Sequence, residues 1–133
     1  MSEGSTLNAR RTYQLHSGDL PAGLDLGPVV AVDTEAMGLN PHRDRRCLVQ
    51  LSAGDGAAHL VQLLPGEDEA PRLKALMADP GVTKVFHFAR FDLAMIYHYL
   101  GVMAGPVYCT KIASRLARTF TDRHGLRDLC KDL

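Results

Sequence analysis

The run Pro28-Val29-Val30-Ala31-Val32-Asp33 constrains this chain more than any other segment. It is continuously apolar and rich in β-branched residues, the pattern of a strand covered on both faces, and it ends on an acid. That makes it the best candidate for the central strand of a sheet. With 133 residues and 46% hydrophobic content the chain can bury one core, so residues 1–133 are read as a single domain.

Around the central strand the remaining elements fall in order. Thr12 to His16 is β-compatible and is followed by turn residues through Pro21, which suggests an outer strand. Cys47 to Ser52 and Ala57 to Leu63 flank the turn Ala53-Gly54-Asp55-Gly56 and, with the central run, form an antiparallel meander; an arginine-rich loop, Asn40 to Arg46, joins the first two. A helix is expected from Glu69 to Asp79, stopped by Pro80-Gly81. Strand Val82 to Phe88, helix Ala89 to Leu100, strand Val107 to Cys109 and helix Lys111 to Phe120 follow as βα units, and a last helix starts near Gly125. The expected fold is a mixed sheet, antiparallel meander first and parallel βα units after it, flanked by helices.

Charge adds little, because fifteen basic and fifteen acidic side chains cancel, and any attraction to phosphate must be local. Cys47, Cys109 and Cys130 are odd in number and widely spaced, against a disulfide framework or a structural zinc site and in favour of a reducing, cytoplasmic setting. Residues 1–11 are polar and read as a flexible N-terminus without a secretory core. No apolar run approaches the roughly 20 residues that span a membrane, so no membrane partner is expected.

The chemistry lies in carboxylates. Asp33 and Glu35 project to one side if the strand persists through Thr34, and two like charges that close need a cation or a proton. Oxygen ligands of this kind suit magnesium or manganese. D-x-E alone is a weak motif, since acids after a strand also form turns and cap helices. Met37-Gly38-Leu39 then sets an apolar pair around a glycine, either a close approach to a ligand or an ordinary loop.

On a wheel of Ala89 to Leu100, Arg90, Tyr97 and His98 share one side, while Asp92 falls inside the apolar arc with Phe91, Met95 and Ile96. A carboxylate on a buried face is costly unless paired or metal-bound, and the competing reading is a capping or dipole role in the first helical turn. A third carboxylate facing the sheet is what a two-metal phosphodiesterase site requires, its ions roughly 3.5–4 Å apart.

Val32-Asp33-Thr34-Glu35 with Met37-Gly38-Leu39, and His87-Phe88-Ala89-Arg90-Phe91-Asp92-Leu93, resemble the first two exonuclease motifs of the ribonuclease D family of DEDD (DnaQ-like) 3′-5′ exonucleases. Cys47 to Leu51, Thr110 to Arg115, and His124-Gly125-Leu126 with Leu129 resemble further segments of that family, from about Val29 to the last residue. The resemblance implies a ribonuclease H-like fold, two divalent cations (Mg²⁺ or Mn²⁺), and release of nucleoside 5′-monophosphates from RNA 3′ ends, tRNA precursors or other structured RNA among them. It implies that Asp33 bridges both ions, that Glu35 holds the water-activating ion, and that Asp92 supports the second. It also implies that Thr34, Met37, Gly38 and Leu39 line the pocket for the terminal nucleotide, with His87 and Phe91 beside it; many relatives carry Asn at the His87 position, which equally admits a buried or strand-end histidine without a role in the site.

The family's third motif, a Tyr followed four residues later by the fourth carboxylate, has no match: none of Tyr13, Tyr97, Tyr99 or Tyr108 has an acid at that offset. The expectation is a domain missing its C-terminal helices. Two alternatives to an exoribonuclease stand beside it, a catalytically incomplete nucleic-acid-binding domain of the same fold and a DNA-preferring exonuclease. Arg43, Arg45 and Arg46, and Lys111, Arg115 and Arg118, each admit a phosphate-tracking reading and a solvated-face reading. Phe88 and Phe91 admit base stacking, with core packing the commoner role for such residues.

Overall fold

A computed structural model of the chain describes residues 12–37, 46–64 and 69–133. The expectations for residues 1–11, for Gly38 and Leu39, and for the Asn40 to Arg46 loop with Arg43 and Arg45 fall outside that set, as do the side chains of Met37 and Arg46.

Six strands form one sheet in the order β1-β4-β3-β2-β5-β6: β1 (Thr12–Ser17), β2 (Val29–Met37), β3 (Arg46–Ser52), β4 (Ala57–Leu63), β5 (Thr83–Phe86) and β6 (Val107–Cys109). The expected meander is present, with β2–β3 and β3–β4 antiparallel, and β2–β5 and β5–β6 are parallel as the βα units require. β1 lies at the edge, as expected of an outer strand, and pairs with β4 in parallel. Helices α1 (Pro71–Ala78), α2 (Ala89–Leu100), α3 (Thr110–Ala117) and α4 (Leu126–Asp132) complete the chain.

Alternation sets the two sheet faces. Val30, Val32 and Thr34 of β2, Cys47, Val49 and Leu51 of β3, and Val61 and Leu63 of β4 point one way and are buried. Leu73 and Met77 of α1 and Ile96 and Leu100 of α2 close over that face. The opposite face carries Ala31, Asp33 and Gln50.

Several boundaries differ from the sequence reading, each for a local reason. α1 starts at Pro71, which lacks an N–H to lose, and not at Glu69, because Ala70 takes a left-handed conformation (φ 44°). Ala70 offers no side-chain cap, and Asp19 supplies one from the turn after β1: its carboxylate accepts the Leu73 and Arg72 amides at 2.9 and 3.1 Å. β5 ends at Phe86, two residues early, because Phe88 also turns to positive φ. α3 stops at Ala117, where Arg118 leaves helical geometry.

β5 also buries a charge that the sequence did not flag. Lys84 is fully enclosed on the core face, and its ammonium donates to the carbonyls of Asp79 (2.6 Å) and Gly105 (2.8 Å). Burial lowers its pKa, with Asp79 opposing the shift. No helix among the described residues is long and apolar enough to cross a membrane.

Candidate metal and nucleotide site

The strand does persist through Thr34. β2 runs to Met37, so Asp33 and Glu35 lie inside it rather than at its end, both exposed on one face. The pairing of β2 with β5 stops at Ala31 and Val85, because β5 gives way to α2. Beyond that point the edge of β2 faces a crevice at the carboxyl ends of two parallel strands, the usual ligand position in such sheets.

Asp92 reaches this crevice from the first turn of α2. It is 3% exposed, as its place in the apolar arc of the wheel suggested. Its Oδ1 accepts the Thr34 amide at 3.1 Å and the Thr34 hydroxyl at 2.6 Å. Asp33 folds back so that its own Oδ1 accepts the same amide at 3.0 Å. Two carboxylates, one from β2 and one from α2, therefore converge on one N–H. Asp92 does not cap its own helix, since its hydrogen bonds go to β2 and the helix start has no side-chain cap, and it keeps its place in the first turn, where the helix dipole favours a negative charge.

The electrostatics fit a cation. Burial raises the pKa of Asp92 and Asp33 adds to the rise, while the Thr34 hydroxyl and amide oppose it, and the net direction is upward. Among the described residues the two salt bridges are Arg72–Asp19 and Arg118–Asp132, so no basic side chain compensates Asp33 or Asp92. As they stand, no three His, Cys, Asp or Glu side chains among the described residues are grouped closely enough to hold an ion. What exists is an uncompensated pair of carboxylates, with Glu35 two residues along the same face as Asp33, a hard-oxygen donor set of the kind magnesium and manganese take. Beneath Asp92, the Cys47 thiol is pushed up to about 12 by burial, with Asp92 adding to it, and is inert at neutral pH.

Thr34 departs from its expected place in a nucleotide pocket. Its side chain is 4% exposed on the core face and its hydroxyl is bound to Asp92, so it supports the site from behind. His87 and Asp33 line one cavity of about 440 Å³ on the open face, together with Gln50, Thr110 and Leu126. The Thr110 hydroxyl donates to the Phe86 carbonyl at 3.1 Å, which leaves its oxygen to accept from His87 Nδ1 at 2.9 Å. Burial and then Lys111 lower the pKa of His87, and a bond to the His124 backbone works against them.

Phe88 and Phe91 are not core. They are 49% and 50% exposed at the start of α2. Phe88 sits at φ 62°, a conformation that costs an L-residue roughly 1–2 kcal/mol. The Lys111 ammonium lies 4.4 Å from the centroid of its ring. The Lys111, Arg115 and Arg118 stripe divides: Arg118 is tied to Asp132 and to the Arg123 carbonyl, whereas Lys111 faces the aromatic edge of the site. Sequence reasoning missed the Lys111–Phe88 contact, which joins two elements across a bend that no periodicity marks.

A fold of this topology, with two carboxylates meeting where β2 passes the start of α2, defines a class. A family profile described as 3′-5′ exonuclease matches residues 18–133, and the chain belongs to that family. Among proteins of known sequence it is similar to ribonuclease D of Gluconacetobacter diazotrophicus, 37% identical over 106 residues, covering 80% of this chain and 26% of that one. Among solved structures it is similar to Brucella melitensis NrnC with bound Mg²⁺, at 54% identity and a TM-score of 0.80, covering 92% of this chain and 61% of that one. The same relative bound to pGG gives 53% identity and a TM-score of 0.80, covering 92% and 60%. Escherichia coli RNase D matches at 29% identity and a TM-score of 0.51, covering 66% and 23%. The fold is thus the ribonuclease H-like exonuclease fold the sequence suggested. The chain spans about a quarter of the length of its ribonuclease D relatives and 61% of the Brucella NrnC chain.

Proposed function

We propose that the protein is a metal-dependent 3′-5′ exoribonuclease that removes nucleoside 5′-monophosphates from RNA 3′ ends. The observation that carries this reading is the convergence of the Asp33 and Asp92 carboxylates on the Thr34 amide, with no basic partner among the described residues, in a chain of the 3′-5′ exonuclease family. Asp33, Glu35 and Asp92 are the residues that would hold two divalent cations, Mg²⁺ or Mn²⁺. When bound, such ions supply an activated water and charge stabilisation for the departing 3′ oxygen. Thr34 orients Asp92 through two donors, and His87, with its Nδ1 proton held by Thr110, keeps its ring fixed beside Asp33 on the open face.

Brucella NrnC, 53% identical, has been solved with pGG, which supports a short oligonucleotide as a substrate of this site, beside the tRNA precursors or other structured RNA that the family resemblance implies. Met37, the last residue of β2, and Gly38 and Leu39, next in the sequence, are the residues we assign to the terminal nucleotide. The test is a 5′-labelled RNA dinucleotide and a seven-residue RNA incubated with magnesium and with EDTA. Magnesium-dependent release of 5′-monophosphate, abolished by Asp33→Ala, is expected. No release from either substrate, or release that survives Asp33→Ala, would sink the reading.

A further inference from the structure

Phe88 combines features that packing does not explain. Its backbone is held at φ 62°, yet the ring is half exposed rather than buried, so the strained conformation is not retained to fill the core. Phe91, about one turn further along and equally exposed, immediately precedes Asp92. Lys111, at the start of α3, stands 4.4 Å over the Phe88 ring and makes no salt bridge among the described residues. A flat aromatic face, a second one next to it and an ammonium with no ion pair among the described residues thus lie at the start of the helix that carries Asp92. Single-stranded nucleic acid is held in this manner, by bases stacked on aromatic rings and by cations on the phosphates between them.

We propose that Phe88 is a stacking platform for one base of the strand whose 3′ end lies at Asp33 and Asp92, with Lys111 contacting an adjoining phosphate. The proposal rests on the reading of that site as an exonuclease, and it adds how the strand is gripped. Charge complementarity between Lys111 and phosphate, and continuity with the Asp92 helix, favour this occupant over an apolar protein surface. Stacking on a phenyl ring is tolerant of base identity, so the platform grips strands without selecting sequence.

The experiment measures binding of five-residue RNAs carrying 2-aminopurine at one of the last three positions, with calcium in place of magnesium. Wild-type protein should quench the probe at one position. Phe88→Leu keeps side-chain bulk without the flat ring and should abolish that quenching and weaken binding about 5- to 100-fold. Phe88→Tyr should stay within about twofold of wild type by the same argument. Lys111→Gln should reduce the dependence of log affinity on log salt by about one phosphate contact. Phe88→Gly relieves the backbone and serves as the folding control: its thermal midpoint should be kept or raised while binding falls.

Binding by Phe88→Leu within twofold of wild type, with cleavage intact, overturns the platform and leaves the exonuclease reading standing. So does a change in sedimentation of Phe88→Leu with unchanged RNA affinity, which would make the aromatic edge a contact between copies. A wild-type protein that neither binds nor cleaves removes both readings together.

Discussion

Thr34 donates both its amide and its hydroxyl to one oxygen of Asp92, at 3.1 and 2.6 Å, and so joins β2 to α2 at the point where their acids meet. The amide is free to do so because the β2–β5 ladder has already ended at Ala31 and Val85. A β-branched residue that packs in the core and points a hydroxyl at a buried acid meets both demands at one position.

Asp92 makes the metal-free protein sensitive to pH. Its carboxyl is raised above the ordinary 3.8, chiefly by burial. The fold therefore favours the protonated form, and the linked stability is full below the ordinary value and lost as pH rises through the raised one. In EDTA, wild type should lose stability relative to Asp92→Asn between pH 4 and pH 7, and the variant should be the more stable protein at pH 7. Urea melts of both at the two pH values check this, and equal pH dependence would refute it. Magnesium added at pH 7 should stabilise wild type and leave Asp92→Asn unchanged.

Thr34→Val keeps the shape of the residue and removes the hydroxyl. Loss of a hydrogen bond to a buried carboxylate should cost about 1.5–3 kcal/mol. Denaturant unfolding measures the loss, and a titration of the Asp92 carboxyl by carbon NMR should show its pKa moving further up.

Glu35 is exposed on β2 and makes no salt bridge among the described residues. Glu35→Gln should therefore change stability by less than about 0.5 kcal/mol. If it is a metal ligand, cleavage of RNA in magnesium should fall by about 100-fold or more. Parallel melts and single-turnover assays separate the two effects.

Asp19 holds the start of α1 from a turn more than fifty residues earlier in the chain, accepting the Leu73 amide at 2.9 Å. Asp19→Ala should destabilise the protein by about 0.5–2 kcal/mol, as for loss of an N-terminal cap, with no change in metal affinity. Thermal unfolding and calorimetric magnesium titration provide the two readouts.

The order of strands and helices was legible because each carries its own period or breaker, and Asp92 was legible because a charge inside an apolar helical arc is a local anomaly. What stayed hidden was relational. The family resemblance sets Thr34 in the nucleotide pocket, but strand alternation turns its side chain to the core, where it meets Asp92. Phe88 was expected to continue a strand, and only its positive φ explains why β5 ends early and the ring is exposed. His16 and His59, without ligand spacing in the sequence, are 43 residues apart and stack with their ring nitrogens at 3.1 Å, a contact made by the parallel pairing of β1 with β4.

The enclosure of Lys84 turns that side chain into a built-in gauge of opening. Its amine bridges the end of α1 and the loop before β6 with no surface exposed, so an acylating reagent can reach it only when that corner of the molecule comes apart. Every other lysine with a described environment keeps some contact with solvent. Under gentle labelling, Lys84 alone should lag behind them, and its rate, followed residue by residue by mass spectrometry, would time the breathing of the sheet that carries the acids.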